Sequence, residues 1–191
     1  MELIFASHNE NKVSEIRAML PDFVELKSLN DIGYHTEIDE TGTTIEENSK
    51  IKAETIYKLT GKNVFADDTG LFVDALDGAP GVFSSRYAGT GNSEDNIIKL
   101  LEELEGKENR NAHFKTVICL INNGKTHFLE GRVDGIILKE KRGDDGFGYD
   151  PVFLPENHEL SFAEMDLNQK NKISHRYKAI QKLLDFIANL D

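Results

Sequence analysis

Two apolar, β-rich runs, residues 113–121 and 126–133, stand on either side of Asn122-Asn123-Gly124-Lys125. Asn-Gly between such runs is the strongest short-range signal for a tight hairpin, because both residues tolerate a positive φ. A hairpin in the middle of the chain excludes an all-helical fold. Elsewhere the period changes to that of a helix. Residues 3–6 read as a short buried strand, a polar loop covers 7–12, and Val13, Ile16 and Leu20 then recur at helical spacing up to Pro21. Residues 24–26 form a plausible second strand. From Thr44 a long helix runs to about Thr60, with capping-box spacing between Thr44 and Glu47 and a stop at Gly61. Residues 64–67 read as a strand running into Asp68-Thr69-Gly70, and 77–81 as a turn. Ser93 opens a helix with Ile97, Leu100, Leu101 and Leu104 on its apolar face, closed by Gly106. Residues 136–138 extend the sheet, 143–148 are a glycine-rich loop, and Ser174 caps a last helix that buries Ile180, Leu183, Leu184 and Ile187. Strands alternating with helices, with a hairpin among them, predict an α/β fold on a mixed sheet. No repeat, linker or low-complexity segment divides the 191 residues.

Charge narrows the partners. Lys and Arg number 22 against 34 Asp and Glu, a formal net charge of −12. That argues against broad nucleic-acid coating and against an anionic membrane surface. A bound anion therefore needs a local cluster of cations. One cysteine, Cys119, excludes an internal disulfide framework, and its apolar setting marks it as a small core residue. No apolar run approaches the ~18 residues of a membrane span, and residues 1–5 lack a signal-peptide pattern, so a cytoplasmic protein is expected.

Five segments carry candidate chemistry. Ser7 to Lys12 joins a strand to a helix start, where unpaired N–H groups and the Lys12 charge suit phosphate, although the Walker A pattern is absent. Asp67-Asp68-Thr69-Gly70 puts two carboxylates at a strand end. Strand alternation sends them to opposite faces, so one alone can face a given cleft, there to hold Mg²⁺ or take a proton from water; the other reading is a solvated turn. The acidic loop 37–47 offers Glu40 as a second metal carboxylate, with Lys50 and Lys52 following on the helix. Gly146-Phe147-Gly148-Tyr149-Asp150-Pro151 lets the backbone approach a ligand and offers rings for stacking, or else is a tight turn whose aromatics plug the core. Ser174-His175-Arg176, with Lys170 upstream, supplies a cap and donors for carbonyl or phosphate oxygens. Together these parts suit a metal-dependent enzyme acting on a nucleotide polyphosphate.

In that order the same residues resemble the inosine triphosphate pyrophosphatase (Ham1-like) family. The resemblance runs from Phe5 to about Leu184. It rests on Ser7-His8-Asn9-Glu10-Asn11-Lys12 with Glu15, Glu40-Thr41-Gly42, Glu47-Asn48, Lys52-Ala53 and Ala66-Asp67-Asp68-Thr69-Gly70-Leu71. It continues through Gly78-Ala79-Pro80-Gly81-Val82, Ser85-Arg86-Tyr87, residues 146–151 and Ile173-Ser174-His175-Arg176. It implies Mg²⁺-dependent hydrolysis of ITP, dITP and XTP to monophosphate and pyrophosphate, which cleans the nucleotide pool. It implies an elongated mixed sheet flanked by helices, a single domain over 1–191 with two lobes and a central substrate cleft, and a homodimer. By position it makes Asp68 the catalytic base, and Glu40 and Asp68 the Mg²⁺ ligands. The substrate contacts it implies are Ser7, His8, Asn9, Glu10, Asn11, Lys12, Lys52, Thr69, Phe147, Gly148, Tyr149, Asp150, Lys170, His175 and Arg176. The chain departs from the family pattern at Thr69, where Ser is common, and at Asp144-Asp145, two carboxylates that would repel a polyanion unless they face away. A nucleotide sensor without hydrolysis would lack a working Asp68, and a Maf-type hydrolase of modified pyrimidine nucleotides would lack the 147–151 and 174–176 segments.

Overall fold

The computed structural model describes residues 1–189, with the side chains of Asn11 and Glu15 outside the described set. In chain order it contains β1 (Glu2–Phe5), α1 (Glu10–Arg17), β2 (Glu25–Lys27), α2 (Ile45–Thr60), β3 (Val64–Val73), β4 (Pro80–Gly81), α3 (Ser93–Glu103), β5 (Asn111–Asn122), β6 (Lys125–Ile137), β7 (Phe153–Pro155), α4 (Leu167–Ile173) and α5 (His175–Ala188). One sheet runs in the order β2-β1-β3-β5-β6-β7, with β4 added on β3. β1 is parallel to β2 and β3, whereas β4 is antiparallel to β3 and β7 to β6. The predicted mixed α/β sheet is thus present. The hairpin turns at Asn123 and Gly124 with φ of 47° and 77°, the left-handed pair that a two-residue turn of this kind demands.

The chain divides into two compact units. The first comprises Met1–Asp68, Val117–Glu130 and Ala179–Asp191, the second Thr69–Thr116 and Gly131–Lys178. In the first unit β1 and the adjoining parts of β3 and β5 are buried on both faces, so alternate residues feed two cores. Leu3, Phe5, Phe65, Ile118 and Leu120 pack with α1 and α5 through Val13, Ile16, Ile180 and Leu183. Ile4, Ala6, Val64, Ala66, Cys119 and Ile121 pack on the other side with Ala53 and Ile56 of α2. Burial in this layer pushes the Cys119 thiol up to about 12. The second unit has one core, in which Leu71, Leu100, Phe114, Phe153 and Phe162 are central.

The structure departs from the sequence reading at several elements. β3 does not end at Asp67 but runs ten residues, from Val64 to Val73, through both aspartates. The extension is held by β4, with Leu71 opposite Gly81, and a Cβ on Gly70 would come within 2.7 Å of the Gly81 carbonyl oxygen. Glycine there is what lets the strands close. α1 stops at Arg17, short of Leu20. α3 opens at Ser93 as expected, and Asn92 before it is the cap, its side chain accepting from Glu94 N–H. Residues 167–173 add a helix, α4, announced by a capping box between Asp166 and Gln169 that the reading passed over.

Candidate active site

In the first unit the Ser7–Lys12 segment is fixed by its own polar groups. Asn9 N–H donates to Ser7 Oγ at 3.1 Å, and Lys12 N–H donates to Asn9 Oδ1 at 3.2 Å, so Asn9 caps the start of α1. His8 Nε2 lies 2.9 Å from the Tyr34 carbonyl oxygen, and Glu10 Oε1 accepts from Asn30 Nδ2 at 2.5 Å. The side chain of Asn11 lies outside the described residues. Lys12 leaves the first turn of α1 and donates to both oxygens of Asp67, at 3.0 and 2.9 Å.

The second cluster of this unit is built by α2. Thr44 caps the helix by accepting from Glu47 N–H. The Glu47 carboxylate reaches one residue further back than a simple capping box, accepting from Thr43 N–H at 2.6 Å and Thr43 Oγ1 at 2.9 Å. The Thr43 N–H beside it holds that carboxyl below the usual range. Asn48, fully buried, accepts from Gly42 N–H at 2.8 Å. These bonds fix the turn after Glu40. One helical turn beyond Asn48, Lys52 Nζ lies 2.6 Å from Glu40 Oε1 and 3.8 Å from Asp68 Oδ1. Burial is the largest influence on Lys52 and works against its charge. Asp68, Asp67 and Glu40 together outweigh it and raise the ammonium above its ordinary value.

The adjacent aspartates behave as strand alternation requires: Asp67 meets a lysine from α1 and Asp68 one from α2. Glu40 and Asp68 reach the same ammonium, so they can also bring oxygen to one small cation. Mg²⁺ is commonly held by one or two protein carboxylates, with water and phosphate oxygens completing the shell. The donor pair fits that ion. Among the described residues no three His, Cys, Asp or Glu side chains form a complete protein cage.

In the second unit, Gly146 and Gly148 adopt φ of 80° and 61°, and Phe147 between them is 63% exposed. Tyr149 points the other way, buried, its hydroxyl donating to the Ser84 carbonyl at 2.8 Å. Burial pushes this phenol well above its ordinary value. Asp150 is buried as well, and its Oδ2 accepts from Phe147 N–H at 2.8 Å and from Lys170 Nζ at 2.5 Å. Lys170 Nζ stands 4.9 Å from the Phe147 ring centre and Arg176 Cζ 5.5 Å from it, so two cations attend one exposed ring. His175 is buried and stacks on Phe114 at 4.7 Å. Thr69 Oγ1 is 2.7 Å from Thr116 Oγ1, a fully buried hydroxyl on β5. Asp144 and Asp145 are exposed to solvent.

The predicted residues therefore gather in two groups. Lys52, Glu40 and Asp68 come together in the first unit, where Lys12 pairs with the neighbouring Asp67, and Phe147, Asp150, Lys170 and Arg176 come together in the second. Tyr149 and His175 are held chiefly within the second unit's packing. Two residues with structural bearing on these groups received no role from the sequence, Asn48 and Thr116, while Asp67, one of the two strand-end carboxylates weighed there, pairs with Lys12. Asn48 carried a usable signal, since it falls on the same face of α2 as Ile45, Ala53 and Ile56, where a polar side chain must find a partner.

The sequence pattern of the Ham1 family matches residues 3–186. A dITP/XTP pyrophosphatase of Flavobacterium psychrophilum is 53% identical over 190 residues, covering 99% of this chain and 100% of that protein. One from Bacillus licheniformis is 54% identical over 187 residues, 95% of each. Among solved structures, the Ham1 protein of Staphylococcus aureus superposes with a TM-score of 0.95 at 37% identity over the whole of both chains. The dITP/XTP pyrophosphatase from Mycobacterium abscessus superposes with a TM-score of 0.84 at 39% identity, covering 96% of this chain and 99% of that one.

Proposed function

The chain belongs to the Ham1 family and is a nucleoside triphosphate pyrophosphatase, and we propose that it hydrolyses the deaminated purine triphosphates dITP, ITP and XTP to monophosphate and pyrophosphate. The observation that carries the reading is the convergence of Glu40 and Asp68 on Lys52, beside the Lys12–Asp67 pair. An acidic protein can accept a polyphosphate only where charge is countered locally, and Lys12 and Lys52 are that local counter-charge. Glu40 and Asp68 would hold Mg²⁺, which when bound neutralises charge on the phosphate oxygens and the departing pyrophosphate.

Asp68 orients a water molecule and takes its proton as the water oxygen bonds to the α-phosphorus. The bond from that phosphorus to the bridging oxygen breaks, and its electron pair leaves with pyrophosphate. Lys12 and Lys52 grip phosphate oxygens and keep the chain of phosphates extended for in-line attack. Phe147 offers a face to the base, and donors from His175 and Arg176 favour a 6-oxo group, which adenine would leave unpaired. Thr69 presents its hydroxyl next to the base residue in sequence. Carried over from the family resemblance, the enzyme works in the cytoplasm as a homodimer; no helix among the described residues is long and apolar enough to cross a membrane.

The test is kcat/KM for dITP, ITP, XTP, GTP and ATP, measured side by side with and without added Mg²⁺, with pyrophosphate as the product assayed. Strong preference for the deaminated substrates and loss of turnover on chelation are expected. Equal values for ITP and ATP would defeat the base-reading assignment, and binding without pyrophosphate release would leave a nucleotide sensor instead.

A further inference from the structure

Asp150 falls within the segment that the family resemblance makes a substrate contact, yet its carboxylate faces inward, its side chain 4% exposed. One oxygen, Oδ2, serves two partners at once: the backbone N–H of Phe147 at 2.8 Å and the Lys170 ammonium at 2.5 Å. Lys170 in turn lies over the rings of Phe147 and Phe162 at 4.9 and 5.5 Å. Gly146 completes the arrangement. A Cβ there would stand 2.3 Å from that same Oδ2, so the turn is wrapped directly onto the carboxylate. From this geometry we infer that Asp150 is a positioning residue, which sets the Phe147 ring and the Lys170 ammonium as one rigid platform for a purine base and does not itself touch the nucleotide.

The chemistry follows from burial. A carboxylate shut away from water is stabilised only by its donors, so it holds both firmly, and a lysine otherwise free to sample many rotamers is pinned against an aromatic face. Pre-setting the ring and the charge lowers the ordering cost of binding a flat, polar base. This inference rests on the nucleotide reading above for what the platform receives, but the brace itself can be read without turnover.

The experiment uses the full chain with Asp150→Asn, Lys170→Met and the double variant. The expected result is a KM for dITP about tenfold higher in each single variant with kcat within about threefold, while inorganic triphosphate inhibits all of them as well as it inhibits the parent protein. The double variant should be no worse than the weaker single, because both changes remove one brace. Amide hydrogen exchange at Phe147 should accelerate in Asp150→Asn. An unchanged KM, losses that multiply in the double variant, or a parallel weakening of triphosphate inhibition would each overturn the assignment, the last by pointing to general structural damage. If Asp150→Asn does not fold, Lys170→Met carries the kinetic arm, since an unaltered KM there equally removes the platform. Should the parent protein fail to hydrolyse dITP while Phe147 exchange still depends on Asp150, the substrate reading falls and the brace stands.

Discussion

Lys52 and Lys170 are both lysines on helices, both shielded, and both paired with acid, yet they are held in opposite ways. Lys52 is shared between Glu40 at 2.6 Å and Asp68 at 3.8 Å, carboxylates that keep 31% and 16% of their side-chain surface in solvent. Lys170 pairs with Asp150 at 2.5 Å and leans on aromatic rings. Partly solvated partners can be exchanged: an incoming phosphate can take the ammonium while the freed carboxylates turn to a cation. A buried pair with a backbone N–H on the same oxygen cannot be exchanged cheaply, because either partner left alone is uncompensated. The first arrangement suits chemistry and the second suits shape.

The sharpest way to break this contrast is Asp68→Asn, which keeps size and a hydrogen-bonding head but removes the proposed base. We expect kcat to fall by about 10²–10⁴ with nucleotide binding retained. A kcat within about threefold of the parent protein would remove Asp68 from that role. Next in size is Lys52→Met, expected to lower kcat/KM by about 10–100-fold, as loss of a charge-assisted bond to phosphate implies. Its effect on stability has a definite pH sense. The folded ammonium titrates above its unfolded value of 10.5, so its stabilisation is complete below that pH and fades only as pH rises through the higher folded value. The melting-temperature gap between Lys52→Met and the parent protein should therefore stay level from pH 8 to 10 (about the accessible range) and close only beyond it.

Thr116→Val is a milder probe of the second unit. It removes the hydroxyl 2.7 Å from Thr69 Oγ1 at nearly constant volume, and about 1 kcal/mol of stability should go with it in a denaturant titration. The smallest effect is expected at Cys119, in the first unit's core. With its thiol raised to about 12 by burial, native protein at pH 8 should react with a thiol reagent no faster than it unfolds. Rapid labelling would show that the α2-side core is looser than its packing.

Much of this was legible beforehand. The Asn123-Gly124 turn, the Thr44 cap, the Gly61 stop and the buried faces of α3 and α5 all follow from local rules that tertiary packing did not override. The continuation of β3 through Asp67-Asp68-Thr69 was not legible, because acidic residues in mid-strand are tolerable only where lysines from α1 and α2 arrive from distant sequence. For the same reason the inward turn of Asp150 was hidden: its partner Lys170 is 20 residues away, on a short helix whose capping box is its main local signal. Phe147 and Tyr149, alternatives within one tight turn, take both readings at once, one ring exposed and the other plugged into the core.

Gly42 bears on how far sequences of this kind can diverge in length. It sits so close to α2 that a Cβ would come within 2.6 Å of Asn48 Oδ1 and 2.7 Å of Glu47 Cβ, while its N–H is spent on Asn48. The distance from Glu40 to the helix is therefore metered by two bonds and one missing methyl. An insertion or deletion between Glu40 and Thr44 would shift the carboxylate out of step with Lys52 even if every catalytic side chain were kept, so indels in descendants of this gene should avoid that stretch.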